Sequence, residues 1–154
     1  MTPLVMLSLK TGMRRGELFD LKWHNVNLDQ KNITVEAHTA KSNKTRHIPL
    51  SPTALSTLTA WKEQTLTTVG RVFPSDDGER LDNVRKSWAT ILDSARIVSF
   101  RWHDIRHDFA SKLVMKGVPL NTVRELCGHS KIDTTLRYAH LAPGHKADAI
   151  DLLG

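Results

Sequence analysis

Residues 100–141, FRWHDIRHDFASKLVMKGVPLNTVRELCGHSKIDTTLRYAHL, carry the clearest helix pattern of the chain together with most of its candidate chemistry. Apolar side chains recur at helical spacing in the first third, which predicts a helix over residues 102–116. A Gly-Val-Pro break follows, and a second helix is predicted over residues 120–127, with Gly128 as its cap. A short third helix is predicted over residues 134–139.

Four polar side chains in this stretch are candidates for chemistry. His103 and Arg106 are separated by one helical turn, so they lie within about 60° of each other on the helix surface. They flank the apolar stripe, which predicts a position at the edge of a core. His129 directly follows the glycine cap, so a turn would hold it. Tyr138, the only tyrosine in the chain, falls near the end of the third helix.

The part of the chain before residue 100 predicts a mixed architecture. Most of it has the apolar spacing of helices, but one region has short β-branched or alternating segments separated by turn-like sequences. The expected fold class is therefore mainly α with a small three-stranded antiparallel β-sheet, an α+β domain. The helices are predicted over residues 3–10, 14–21, 52–69 and 81–96, and the strands over residues 26–28, 33–36 and 46–50.

Two upstream cations are further candidates. Arg14 begins the second helix, where the helix dipole disfavours a positive charge and a bound anion would offset that cost. A surface ion pair with Glu17 is the alternative for Arg14. Lys41 lies in the turn between the second and third strands, where a lysine is ordinarily only solvated. The residues alone leave both alternatives open.

Together these residue types suit chemistry on a phosphodiester. Arginine presents a planar fork of donors that matches two phosphate oxygens, and tyrosine can attack phosphorus to form a covalent ester. Histidine can move protons near neutral pH, and a lysine can protonate a leaving oxygen. His103 and His107 are also spaced as two metal ligands would be. No third ligand follows at a suitable spacing, so no metal site is expected.

Composition indicates the class of protein less clearly than the candidate site residues do. The net charge is +6 and the pI is about 9.7, which is compatible equally with a nucleic-acid partner and with an ordinary basic protein. The single cysteine, Cys127, excludes an internal disulfide and fits a reducing compartment. The sequence contains no apolar run long enough to cross a membrane, and its start lacks the basic leader of a signal peptide.

Five short segments resemble the conserved boxes of the tyrosine recombinases, the phage integrase family. The resemblance covers nearly the whole chain, and the boxes follow one another in the order that the family has. Any one of them is weak evidence, but five in order at the right intervals are a strong signal. They are TGMRRGEL at 11–18, TAKSNKTRHIPL at 39–50, HDIR at 103–106, CGHS at 127–130 and TTLRYAHL at 134–141.

The resemblance implies a site-specific DNA recombinase or integrase and a role for each candidate. Tyr138 would attack the scissile phosphate and form a 3′-phosphotyrosyl link, while Arg14 and Arg106 clamp the non-bridging oxygens. His103 would assist proton transfer at the tyrosine, and His129 would donate a further hydrogen bond. Lys41 would protonate the leaving 5′-oxygen, with Lys44 as the alternative lysine. The family needs no metal, organic cofactor or ATP, so none is expected.

The same resemblance implies a partner and an assembly. Double-stranded DNA is the expected partner, and Glu17 and His107 are expected to be supporting residues. A longer protein would act as a homotetramer on DNA, whereas this chain alone is expected to be a monomer or weak dimer. Residues 1–154 are expected to be a catalytic domain only, a fragment without the family's N-terminal DNA-binding domain.

The resemblance also implies a cytoplasmic protein of bacterial or phage origin, from a prophage or other mobile element. The predicted DNA contacts are Arg15, Lys44, Arg46, Arg85 and Lys86.

Two other functions remain compatible with the sequence. One is a type IB topoisomerase-like enzyme, which relaxes DNA with similar residues; the hairpin and the last two boxes favour the recombinase. The other is a non-catalytic DNA-binding prophage remnant, against which the six intact candidate positions argue. The target sequence, the direction of recombination and any accessory proteins cannot be predicted from the sequence.

Overall fold

The computed structural model describes residues 1–37, 44–66, 68–144, 150–151 and 153. Within these residues the chain forms α-helices around one small antiparallel sheet, as predicted. The elements are α1 (Thr2–Thr11), α2 (Arg15–Asp20), β1 (Val26–Asn27), β2 (Asn32–Val35), β3 (Arg46–Pro49), α3 (Pro52–Thr65), α4 (Arg85–Ser94), α5 (Trp102–Met115), α6 (Leu120–Cys127) and α7 (Asp133–Leu136), with 3₁₀ turns at Trp23–Asn25 and Ala139–Leu141.

Three helices have an end that differs from the predicted one by more than one residue. Helix α3 stops before Leu66, which adopts the left-handed conformation that ends helices. Helix α4 begins at Arg85 rather than at residue 81. Helix α7 ends at Leu136, so Tyr138 lies in the connection between α7 and the following 3₁₀ turn. The nucleophile candidate is therefore held by a turn and not by a helix face.

The sheet has the order β1-β2-β3 and buries one face. Ile33 pairs with Val26 on one side and with Ile48 on the other. Ile33, Val35 and Ile48 are buried, and the residues between them along each strand are less buried or exposed. This alternation turns one face of the sheet onto the helical core. Residues 38–43, which include Lys41, lie outside the described residues.

Helix α5 joins two apolar clusters. Its first turn, with Trp102 and Ile105, packs into the main core formed with α1, α2, α3 and the sheet. Its second half, with Ala110 and Val114, packs against α6 and Tyr138 in a smaller cluster. The residues between these two contacts, among them Arg106 and His107, therefore lie at the junction of the clusters.

Gly12 allows α1 and α5 to approach closely. It ends α1 in the left-handed conformation, with a φ of 61°. A Cβ at this position would lie 2.3 Å from a ring carbon of Phe109, so no larger residue fits without moving that ring. The close approach brings the Gly12 carbonyl within reach of the guanidinium of Arg106.

Among the described residues, no helix combines the length and the apolar character that a membrane span requires.

Candidate active site

The C-terminal end of α6 collects three arginine side chains from three distant parts of the chain. The consecutive carbonyls of residues 126–128 accept hydrogen bonds from Arg46 (3.2 Å), Arg106 and Arg14 (2.7 Å), in that order. The last carbonyls of a helix lack intrahelical donors and carry the negative end of its dipole. Arginine is well suited to this end because it supplies several donors and a positive charge. The helix end thus fixes three guanidiniums around one point.

Gly128 turns the chain at this helix end. It is left-handed, with a φ of 62°, and its N–H bonds to the Glu125 carbonyl, while the N–H of His129 bonds to the Arg124 carbonyl. These two bonds form a Schellman motif. A Cβ on Gly128 would lie 2.8 Å from the Arg46 guanidinium. The motif therefore permits the arginine contact and sets the direction in which His129 leaves the helix.

Arg106 is the most deeply buried of the three arginines, with only 4% of its surface exposed. Its guanidinium donates to the Gly12 carbonyl at 2.7 Å and to the Cys127 carbonyl. Burial lowers the pKa of Arg106 to about 10, so the group stays charged at neutral pH. Two of its five N–H donors are used in these bonds, which leaves others for a ligand.

Glu17 links two of the arginines through a buried carboxylate. It accepts from the Arg14 side chain (2.9 Å), from the Arg14 backbone N–H (2.8 Å) and from Arg46 (2.7 Å). Burial raises the pKa of Glu17, but the hydrogen bonds and charges of Arg46 and Arg14 outweigh it and leave the pKa below its ordinary value. The Arg14–Glu17 ion pair, which was the alternative for Arg14, is present, and Arg14 also lines the pocket described below. Arg46, predicted to contact DNA, has its guanidinium directed at Glu17 and the helix end.

A pocket of about 270 Å³ brings the predicted catalytic residues together. Five of the six predicted positions line it; the sixth, Lys41, lies outside the described residues. The lining residues are Arg14, His103, Arg106, His107, His129, Ser130, Thr134, Arg137 and Tyr138.

His129 is buried against the arginines in a neutral state. Its Nδ1 lies 2.8 Å from the hydroxyl oxygen of Thr135, which is fully buried. Burial, together with the charges of Arg106 and Arg14, lowers the pKa of His129 to about 4. If the threonine hydroxyl donates to Nδ1, the ring proton is on Nε2 and is free to be donated to a ligand in the pocket.

Tyr138 has its ring in the smaller apolar cluster and its hydroxyl against His107. Nδ1 of His107 lies 2.5 Å from the phenol oxygen. Burial raises the pKa of Tyr138, while Arg137 and Arg106 oppose the rise through their charges and Arg137 also through a hydrogen bond. His107 was expected only to be a supporting residue, and the sequence did not predict this contact. His103 is more exposed, with its ring centroid 4.9 Å from that of His107.

Sequence reasoning did not identify three lining residues, namely Ser130, Thr134 and Arg137. Arg137 directly precedes the only tyrosine, so the sequence did carry a signal for it. A charged neighbour one residue away does not ordinarily share a helix face with the candidate nucleophile. Because Tyr138 is in a turn, both side chains reach the same pocket.

The predicted DNA contacts differ in their relation to this pocket. Arg15 lines an adjacent groove with His103 and Arg101. Lys44 lines a groove on another side with Arg124 and His129. Basic side chains therefore flank the pocket on two sides. Arg85 and Lys86 are exposed at the start of α4 and line none of these three cavities.

Comparison with known proteins gives consistent matches. A family model described as the phage integrase family matches residues 2–145. The integrase of Salmonella phage P22 is 33% identical over 153 residues, covering 92% of this chain and 39% of that protein. The solved catalytic domain of bacteriophage HP1 integrase has a TM-score of 0.69 and 26% identity, covering 97% of this chain and 79% of that one.

A further solved structure shares the fold at lower identity. The Tn1549 transposon integrase, solved with circular intermediate DNA, has a TM-score of 0.80 and 18% identity and covers 99% of this chain and 59% of that one. The chain spans less than half the length of several curated relatives, for example 39% of the phage P22 integrase and 46% of XerC from Xanthomonas campestris.

Replacing Glu17 tests the buried carboxylate. We expect Glu17→Gln to lower the free energy of unfolding by about 3 kcal/mol, because it leaves two partly buried guanidiniums without their counter-charge. Asp20→Asn is the matched control on the same helix: Asp20 also pairs with two arginines, Arg71 and Arg80, but is more exposed. Its loss should cost less than about 1 kcal/mol. Equal losses in urea denaturation of the two variants would contradict this account.

The state of His129 predicts a pH dependence of stability. Its folded pKa of about 4 lies below the ordinary value of 6.5, so the unfolded chain binds more protons between these values. The contribution of neutral His129 to the free energy of unfolding is therefore fully present above pH 6.5. It is lost as the pH decreases towards 4, by at most about 3 kcal/mol. Burial lowers the pKa values of His103 and His107 in the same direction.

Urea denaturation between pH 7.5 and 4 measures this effect. His129→Asn keeps an acceptor for Thr135 but does not titrate, so it should flatten the pH dependence. His47→Gln, on an exposed position of β3, is the control for a general histidine effect. An unchanged slope in His129→Asn would contradict the neutral, buried state of His129.

Proposed function

The chain belongs to the phage integrase family, and from this membership and the pocket around Tyr138 we propose that it is the catalytic domain of a site-specific DNA recombinase. In this proposal it cuts and rejoins DNA strands through a covalent 3′-phosphotyrosyl intermediate. One observation carries the proposal: the hydroxyl of the only tyrosine faces a pocket that two arginines and a neutral histidine also line.

The pocket is suited to the charge changes of phosphoryl transfer. Arg14 and Arg106 are already oriented by Gly128, Glu17 and Gly12, so little reorganisation is needed when they bind the non-bridging oxygens of a phosphate. Neutral His129 adds a hydrogen-bond donor without adding charge. As Tyr138 attacks, the negative charge on the phosphorus oxygens grows, and these three groups stabilise it more strongly than in the ground state.

In the cleavage step Tyr138 forms a bond to phosphorus, and one phosphodiester bond of the DNA strand breaks. Its oxygen bonds to phosphorus, the bond from phosphorus to the 5′-oxygen breaks, and that oxygen takes a proton to become a free 5′-hydroxyl. The resulting ester keeps the energy of the broken linkage, so the 5′-hydroxyl of a second strand can reverse the step without ATP. We assign the proton on the leaving oxygen to Lys41, with Lys44 as the alternative, and proton transfer at Tyr138 to His103.

The partner that fits the surface is double-stranded DNA. The basic grooves beside the pocket, which contain Arg15 and Lys44, are positioned to neutralise phosphates flanking the scissile one. Arg85 and Lys86 are proposed as outlying contacts. Binding should weaken steeply with salt, because each neutralised phosphate releases counterions. We propose that this chain alone is a monomer or weak dimer and that a longer protein acts as a homotetramer on DNA in the cytoplasm of a bacterium.

A recombinase is favoured over a DNA-relaxing enzyme by the matched relatives. The curated proteins similar to this chain include phage integrases and XerC recombinases. The pocket argues against the other alternative, a non-catalytic DNA-binding remnant, because five predicted catalytic side chains lie together in it.

Tyr138 is the proposed nucleophile, and replacing it tests that role. Tyr138→Phe should abolish covalent attachment to DNA while leaving melting temperature and DNA affinity nearly unchanged, because only the hydroxyl is lost. The assay uses nicked duplexes of randomised sequence around the nick, so that the released strand cannot return, and recovers protein-bound DNA after denaturation. His140→Gln, an exposed neighbour two residues on, is the matched control and should form the adduct normally. An adduct formed by Tyr138→Phe would overturn the assignment.

Lys41 is the proposed proton donor to the leaving 5′-oxygen. Lys41→Ala should slow cleavage of ordinary DNA by about 10²-fold or more, the usual range for a lost general acid. A 5′-bridging phosphorothiolate, whose sulfur leaves without a proton, should restore the rate. Lys44→Ala is the control from the same hairpin. If Lys44→Ala shows the loss and the rescue instead, Lys44 is the proton donor.

A further inference from the structure

Arg137 differs from the two other arginines of the pocket because it has neither a backbone partner nor a counter-charge. Arg14 donates to Glu17 and to the Gly128 carbonyl, and Arg106 donates to two main-chain carbonyls. Among the residues that the structure describes, no carboxylate pairs with Arg137, although six other arginines have such a partner. Its guanidinium is therefore a pocket cation whose charge the fold leaves unbalanced.

The turn after α7 directs Arg137 at the phenol of Tyr138. The N–H of Tyr138 bonds to the carbonyl of Thr135, a fully buried residue whose side chain contacts His129. This bond closes a tight turn, and the two consecutive side chains both reach the same pocket. There the guanidinium of Arg137 donates a hydrogen bond to the phenol oxygen. A cation without a counter-charge thus contacts the atom that is proposed to attack phosphorus.

The phenol can accept from Arg137 and keep its contact with His107. A phenol oxygen donates one hydrogen bond and has lone pairs that accept others, so the two contacts are compatible. Burial raises the pKa of Tyr138, the nearby Cys127 adds to the rise, and the charges of Arg137 and Arg106 oppose it. Of these two arginines, Arg137 also opposes the rise through its hydrogen bond. Arg137 is therefore placed to favour the charged form of the phenol.

Resting on the proposed strand-cleavage function, we propose that Arg137 is a further catalytic residue, which stabilises the negative charge on the Tyr138 oxygen as that oxygen loses its proton and attacks phosphorus. Arg137 forms no covalent bond and takes up no proton, because a guanidinium stays protonated in proteins. The bonds made and broken are those of the cleavage step above, and the phenol proton goes to His103 as assigned there. When the strands are rejoined, the same guanidinium stabilises the charge on the departing tyrosine oxygen.

The interaction gains strength during the reaction. A donor binds a charged acceptor more strongly than a neutral one, so the hydrogen bond from Arg137 strengthens as the phenol becomes a phenolate. An interaction that is stronger in the transition state than in the resting pocket lowers the barrier. Because Arg137 is exposed, solvent screens part of its charge, and we expect a contribution of about 10-fold in rate.

The contact is tested without DNA through the only tyrosine of the chain. Biosynthetic replacement by difluorotyrosine labels position 138 alone, and ring fluorination lowers the phenol pKa, so the titration falls where the fold is stable. In ¹⁹F NMR spectra the midpoint should move to higher pH in Arg137→Gln, because a neutral amide favours the phenolate less. Lys131→Gln is the matched control: it removes one charge from an exposed residue before α7 that lines none of the three cavities described above. Its midpoint should be nearly unchanged.

The catalytic role is tested by single-turnover cleavage of a nicked duplex selected from the randomised pool. At saturating DNA, Arg137→Gln should slow cleavage by about 10-fold, Arg137→Lys by less, and Lys131→Gln not at all. The loss in Arg137→Gln should shrink when Tyr138 is replaced by difluorotyrosine, because a more acidic phenol depends less on a neighbouring cation.

Three outcomes would contradict the proposal. An unchanged ¹⁹F midpoint in Arg137→Gln would overturn the contact while leaving the proposed function of the chain intact. A loss of equal size with tyrosine and with difluorotyrosine, together with a weaker salt dependence of DNA binding, would make Arg137 only a contact to a DNA phosphate. The wild-type chain is assayed first: if it forms no adduct with any member of the pool, the proposed function fails. The catalytic role of Arg137 then fails with it, even where the ¹⁹F midpoint confirms the contact.

Discussion

The site depends on the hydrogen bonds between three arginines and the last carbonyls of α6. Arg14, Arg46 and Arg106 come from a helix start, a strand and a helix interior, and each binds one carbonyl of residues 126–128. These bonds satisfy acceptors that any helix end leaves open. They also place the positive charge of the pocket before any ligand arrives. The free-energy cost of orienting the guanidiniums is therefore met when the chain folds.

This arrangement concentrates positive charge beyond what the fold neutralises. Glu17 is the buried carboxylate that balances part of it, and its two arginine partners hold its pKa low despite burial. Burial is the main cause of the lowered pKa values of Arg106 and His129, and the charges of neighbouring arginines add to it. A bound phosphate would relieve both, because an anion favours the charged form of each group. Ligand binding and stability are therefore linked at this site.

The proposed nucleophile and the proposed phosphate ligands share α5 and α6, but the nucleophile also depends on the turn after α7. Tyr138 takes its position from the apolar contacts of α5 and α6 and from that turn, whereas the arginines are held by the last carbonyls of α6. Neutral His107 connects the two parts because it neighbours Arg106 along α5 and contacts the phenol in space. Movement of the short α7 segment would change the tyrosine position without disturbing the arginines.

The sequence by itself determined the fold class, most of the secondary structure and, through the family resemblance, six of the nine residues that line the pocket. Helix and strand patterns are local, and the pairing of Arg14 with Glu17 needs only one turn of helix. The tertiary structure alone decided where Arg46 points and which histidine meets Tyr138. Those contacts join segments 80 and 31 residues apart, and their geometry depends on how α5, α6 and the turn after α7 pack. The helix and strand repeats of the sequence do not predict such contacts. The direction of a side chain where helices pack together depends on the neighbouring side chains and not only on sequence spacing.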